Sequence, residues 1–255
     1  MQLFDSHAHL DDDKFNADLK ETAEKIAASD VSLLVDVGSN MKTSEKAIEI
    51  AEQYPFVYAA VGIHPCDAFE TDEEQNMQHL KAMAAHEKVV AIGETGLDYY
   101  WDDVDRETQK RGFIRQIALA NELKLPLIVH NRDAHADTLS ILKEYKPESA
   151  IIHCFSGSAE MAKELSKMGY YISFSGSVTF KNARQLPEAV EVVPLNQLLV
   201  ETDSPYLAPE PKRGTRNDPT NVLYTAAKIA DILNLPLEEV ARITFENAKQ
   251  VYKLK

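Results

Sequence analysis

Cysteine is scarce in this chain: two residues, Cys66 and Cys154, in 255. That excludes a disulfide scaffold, and no C-x-x-C pair is present, so a reducing cytoplasm is the expected location and both thiols are expected to be small core residues. Basic residues are also few, 27 against 41 acidic ones, for a formal charge of -14. A broad basic surface for nucleic acid is therefore excluded, although bound divalent cations would invert the potential locally. No apolar run approaches the length that spans a membrane. Nor does a basic segment followed by an apolar core open the sequence, so the chain is expected to start in its first strand, with no membrane partner. Gly/Ser linkers, composition shifts and internal repeats are missing too. One domain over residues 1–255 is the expectation, and 44% hydrophobic content is ample for its core.

What is present is an alternation. Short apolar runs at 3–6, 31–38, 56–63, 88–93, 127–129, 150–152, 170–174 and 197–202 read as strands, and most are separated by stretches of helical periodicity. Those helices are expected near 18–28, 43–53, 106–123, 134–145, 160–168, 219–233 and 236–252, with another opened by a capping box from Thr71 to Glu74. Eight strand-helix units with uniformly apolar strands predict parallel βαβ units covered on both faces. The fold class is α/β, a (β/α)8 TIM-type barrel, with a doubly wound open sheet as the alternative.

The polar residues add a positional argument. His7 and His9 follow the first run, His64 the third, Glu94 the fourth, His130 the fifth, His153 the sixth and Asp203 the eighth. In an extended strand His7 and His9 project to the same side. His79, His86 and His135 fall in helical stretches and read as ordinary surface residues. The C-terminal end of a barrel strand is where this fold carries its chemistry. Several imidazoles and two carboxylates converging there would repel or stay unsatisfied without a cation. Neutral imidazole with carboxylate suits zinc, manganese or iron, whereas magnesium prefers mostly oxygen. The ligand surplus calls for two divalent cations (zinc, manganese or magnesium, identity open), with Glu94 as the natural bridge.

These residues lie in D-S-H-A-H-L (Asp5 to Leu10), V-G-I-H-P (Val61 to Pro65), I-G-E-T-G-L-D (Ile92 to Asp98), L-I-V-H-N-R-D-A (Leu127 to Ala134), I-H-C-F-S-G (Ile152 to Gly157) and E-T-D-S-P-Y-L-A-P (Glu201 to Pro209), followed by Arg213-Gly214, Asn217 and Pro219. In these motifs the chain resembles the TatD family of metal-dependent hydrolases, within the amidohydrolase superfamily, over essentially its whole length. The resemblance implies a TIM-type barrel that hydrolyses phosphodiester bonds of DNA, often as an exonuclease. It also implies that His7, His9, Glu94 and Asp203 bind one metal and that Glu94, His130 and His153 bind the other.

The expected mechanism is hydrolysis by a metal-activated water, with Glu94 and Asp203 as catalytic carboxylates and Asp203 as general base. His64, Arg132, Arg213 and Asn217 are expected to meet the substrate, the basic residues Lys212 and Arg216 lie in the same loop as Arg213, and Asp218 is expected to cap the following helix. Tyr99, Tyr100 and Trp101 are expected either to stack on bases or to form a lid packed on the barrel. DNA, bound locally at the metal site, is the expected partner, and no obligate protein partner is evident. The alternative is a small-molecule amidohydrolase or phosphoesterase with the same two-metal site, which the acidic surface suits better. A metal-binding scaffold without turnover is disfavoured by the open site that Asp203 implies.

Overall fold

Seventeen regular elements follow one another in the computed structural model, which describes residues 1–255. They are β1 (Leu3–Ala8), α1 (Leu19–Ala27), β2 (Val31–Val37), α2 (Met41–Gln53), β3 (Val57–Val61), α3 (Glu74–Met83), β4 (Val89–Asp98), α4 (Arg106–Leu123), β5 (Leu127–Arg132) and α5 (His135–Tyr145). The chain continues with β6 (Ala150–Ile152), α6 (Ala159–Lys167), β7 (Tyr171–Phe174), α7 (Leu186–Val192), β8 (Leu198–Val200), α8 (Val222–Leu233) and α9 (Leu237–Val251). The strands are ordered β1 to β8 in chain sequence within one sheet. Two compact units can be described, Met1–Val35 with His153–Lys255, and Asp36–Ile152.

In the first unit, the end of the chain is tied to its beginning. Phe4 of β1 stacks on Tyr252 at 5.8 Å and packs against Phe245 of α9 at 6.0 Å. The Tyr252 hydroxyl donates to the Ser6 carbonyl, and the Ser6 hydroxyl donates to the carbonyl of Val200 at the end of β8. Asp5 is fully buried and accepts from the Thr202 amide and hydroxyl at 2.9 and 2.5 Å. These bonds hold the first strand and the segment after β8 together, as a buried polar network must be satisfied to be tolerated.

The second unit is built on β4 and β5. Their register sets Gly96 opposite His130 and Asp98 opposite Arg132, with an irregularity between Ile92 and Thr95. Gly96 has a φ of 139°, and a Cβ there would sit 2.1 Å from the His130 carbonyl oxygen. Only glycine lets β4 pass this close to β5 while Glu94 and Asp98, two residues to either side, share one strand face.

Some expectations are corrected. β4 was expected to end at Gly93 and β5 at Val129, yet they run on to Asp98 and Arg132. Their distal halves are polar because they carry the site, which breaks the apolar pattern that marks a strand. Thr71 does not cap a helix: its hydroxyl donates to the Ala68 carbonyl inside a 3-10 stretch, Pro65–Asp72, and α3 starts only at Glu74. Helix α7 was not foreseen; seven residues with a proline in the first turn give too short a periodic signal. Asp218 does cap, accepting from the Thr220 amide at 3.0 Å ahead of α8.

Candidate metal centre

In the first unit, three strand ends deliver four ligand-type side chains. His7 lies in β1, His9 follows it directly, His153 follows β6, and Asp203 lies just past β8. The Asp203 amide donates to the His7 carbonyl at 2.9 Å and the His9 amide to the Ser204 carbonyl at 2.8 Å, so the two segments are laced together at the site. His7 and His9 approach at Nε2–Nε2 3.1 Å. The Asp203 Oδ1 stands 3.4 Å from His9 Nε2 and 3.9 Å from His7 Nε2. His153 stacks flat on His7, with ring centres 4.0 Å apart. Donor atoms of His7, His153 and Asp203 all lie within 4.8 Å of one another. Imidazole nitrogens at such spacings, mostly buried, need a proton or a cation among them, and nitrogen with carboxylate oxygen is a transition-metal or zinc donor set. The residues therefore fit a divalent cation.

Burial would push the Asp203 carboxyl up, but the hydrogen bond from His9 and the neighbouring His153, His9 and His7 imidazoles hold it below the usual carboxylate range. It stays an ionised base to more acidic pH than an ordinary aspartate.

The second unit presents a second set. His130 is held between two carboxylates: Nδ1 is 2.8 Å from Glu94 Oε1 and Nε2 is 3.0 Å from Asp98 Oδ2. His64 completes the group, its ring centre 4.4 Å from that of His130 and its Nε2 3.9 Å from Glu94 Oε1. Donors of His64, Glu94 and His130 again lie within 4.8 Å of one another, as do those of His64, Cys66 and Asp98. The His64 Nδ1 accepts from the Cys66 amide at 3.2 Å. A neutral imidazole that accepts through Nδ1 carries its proton on Nε2, which makes His64 a hydrogen-bond donor toward the site. Cys66 is not a fully buried core residue; burial and the surrounding carboxylates, Asp98 first among them, push its thiol up to about 11.

The sequence-level reading passed over two carboxylates. Asp98 is 1% exposed and orients His130; Glu201 is fully buried, 3.4 Å from His153 Nδ1, and accepts from the Cys154 amide at 2.7 Å. A carboxylate behind a ligating histidine fixes the ring and raises its basicity. Both belong to motifs quoted above, I-G-E-T-G-L-D and E-T-D-S-P, so their spacing from Glu94 and Asp203 was the available signal. Asp98→Asn is expected to weaken divalent-cation binding about 10- to 100-fold while the fold persists. Isothermal titration with manganese checks this, and unchanged affinity would show that Asp98 serves the loop after it and not His130.

The residues expected to meet the substrate part company. Arg132 stacks over Tyr100 at 3.7 Å, beside the second set. Arg213 lies over the Phe180 ring at 3.7 Å and lines a cleft of ≈ 250 Å³ with Leu207, Ala208 and Thr215. Asn217 is fully buried: its amide donates to the Thr202 and Tyr206 carbonyls and its oxygen accepts from the Asp218 amide and Asn221. It shapes the loop after β8 instead of facing a substrate. Arg216 is also committed elsewhere, paired with both oxygens of Asp18 at 2.7 and 2.6 Å. His79 lies exposed on α3 beside Glu45, as expected, whereas His86 lies past the end of α3, half-buried beside Glu52.

The pattern of the TatD related DNase family matches residues 4–253. The chain belongs to that family. TatD relatives agree over the full length: the chain is 49% identical to the uncharacterized metal-dependent hydrolase YabD of Bacillus subtilis, over 99% of each protein. It is 40% identical to the uncharacterized metal-dependent hydrolase YcfH of Escherichia coli, over 100% of this chain and 97% of that one. The crystal structure of the TatD homologue YJJV from Escherichia coli superposes with a TM-score of 0.92 at 28% identity, covering 99% of this chain and 98% of that one. The fold is accordingly a TIM-type (β/α)8 barrel and the protein a metal-dependent hydrolase. No helix is long and apolar enough to cross a membrane.

Proposed function

We propose that this TatD-family hydrolase cleaves phosphodiester bonds of DNA, working inward from a strand end, in the cytoplasm. The observation that carries the reading is the two groups of ligand-type side chains, His7, His9, His153 and Asp203 in one and Glu94 and His130 beside His64 in the other, set at strand ends of a barrel fold. Two divalent cations, when bound, would lower the pKa of an attacking water and neutralise charge that develops on a phosphoryl group. His7, His9, Glu94 and Asp203 would hold one, and Glu94, His130 and His153 the other, with Glu94 shared. His153 stacks on His7 and His130 meets His64 edge to face in the structure, so this partition is the finer part of the proposal.

The remaining work falls to the chain's own groups. Asp203 takes the proton of the attacking water. His64 presents its Nε2–H to a phosphate oxygen. Asp98 and Glu201 hold His130 and His153 in place.

The test is a substrate panel given to chelator-stripped protein resupplied with manganese or magnesium: single- and double-stranded DNA, RNA, and small esters, amides and phosphoesters. Shortening of DNA from one end is the expected result. If every nucleic acid survives while a small substrate is cleaved, the protein is a small-molecule amidohydrolase or phosphoesterase instead.

A further inference from the structure

The loop between β4 and α4 carries an unusual surface. Tyr100 and Trp101 are 56% and 50% exposed, so they are not a lid packed onto the fold. They meet edge to face, ring centres 4.9 Å apart, and the Arg132 guanidinium lies 3.7 Å over Tyr100 and 5.8 Å from Trp101. Tyr99, by contrast, is locked away: its hydroxyl donates to Asp137 at 2.7 Å and Arg106 covers its ring at 4.2 Å.

The exposed pair is tied to the metal centre through one carboxylate. Asp98 Oδ1 accepts the Tyr100 and Trp101 amides at 2.9 and 3.2 Å, while its Oδ2 faces His130 Nε2 at 3.0 Å. The Tyr99 amide donates to the Arg132 carbonyl at 2.9 Å, which pins the loop to β5 two residues beyond His130. Exposed aromatic faces with an arginine stacked among them, held by short bonds at a fixed step from a metal ligand, match one chemistry well. Nucleobases stack on aromatic faces and on guanidinium planes, irrespective of sequence. The neighbouring Asp102 and Asp103 disfavour a phosphate on this surface, and a neutral base does not meet that repulsion.

We propose that Trp101 and Tyr100, backed by Arg132, form a stacking platform for an unpaired base next to the phosphate that is cut. This rests on the phosphodiester reading and adds the residues that select a single-stranded end. A base held in a duplex keeps its faces occupied by its neighbours and reaches the platform only after fraying.

Trp101 is the sole tryptophan in the chain, so its fluorescence reports this site alone. The experiment titrates wild type with a nuclease-resistant phosphorothioate oligothymidylate and with the same strand carrying abasic residues at both ends. Affinity is read by anisotropy of a labelled strand. Expected are saturable change in Trp101 emission and roughly tenfold weaker binding of the abasic strand. Trp101→Ala should lose that discrimination and Trp101→Phe should keep most of it, with the fold checked by circular dichroism. Equal affinity for both strands in wild type, or discrimination that survives Trp101→Ala, overturns the platform. If wild type also hydrolyses unmodified DNA, only the platform has failed. If it neither binds nor hydrolyses any strand, the phosphodiester reading falls and the platform with it.

Discussion

Asp203→Asn is expected to lower turnover by roughly 10²- to 10⁴-fold, the usual range for removing a general base. The substitution is nearly isosteric. The backbone that positions residue 203, with its amide donating to the His7 carbonyl and a φ of 54°, is left intact, and asparagine tolerates that left-handed conformation. What is lost is basicity: an amide oxygen can still face His9 and a cation but cannot accept the proton of the attacking water. Circular dichroism should therefore stay close to wild type while hydrolysis of a labelled oligonucleotide collapses, even at saturating cation. Full activity in this variant would remove Asp203 from the base role.

A second large effect is expected from Glu94→Gln. Glu94 is 3% exposed and faces His130 at 2.8 Å and His64 at 3.9 Å. Neutralising it removes negative charge from the centre of an imidazole-rich group. A carboxylate that merely orients a ligand is worth about 10- to 100-fold in affinity or activity; one that binds cations directly should cost more than the upper end of that range. Metal analysis of dialysed protein separates two possibilities. A shared Glu94 predicts that both cations are depleted, whereas loss of a single cation would show that Glu94 serves only one.

Much of this architecture could be read from the residues. Eight apolar runs marked eight strands, and the strand-end histidines and carboxylates that the structure gathers into donor groups stood out because barrel strands end where the chemistry sits. What escaped did so for physical reasons. The outer halves of β4 and β5 are strands made of site residues, Glu94 to Asp98 and His130 to Arg132, and polar strands lack the apolar signature. Asp98 and Glu201 touch no cation directly in the expected ligand set, so ligand arithmetic had no place for them; their role appears only as the distances to His130 and His153. Asn217 sits in a family motif, yet its motif position reflects a loop that its buried amide holds in shape. Basic residues after β8 read alike in sequence, and only the pairing of Arg216 with Asp18 separates it from Arg213.

We propose that two groups of strand-end ligands make this chain a cation-dependent phosphodiesterase. Its most direct test follows a 5′-labelled single-stranded oligonucleotide with chelator-stripped protein, before and after manganese is added back in measured equivalents. No cleavage is expected in the stripped protein, and shortened products should appear at a rate that reaches its full value near two equivalents per chain. Cleavage that persists without any cation, or an oligonucleotide that stays intact at every manganese level, would contradict it.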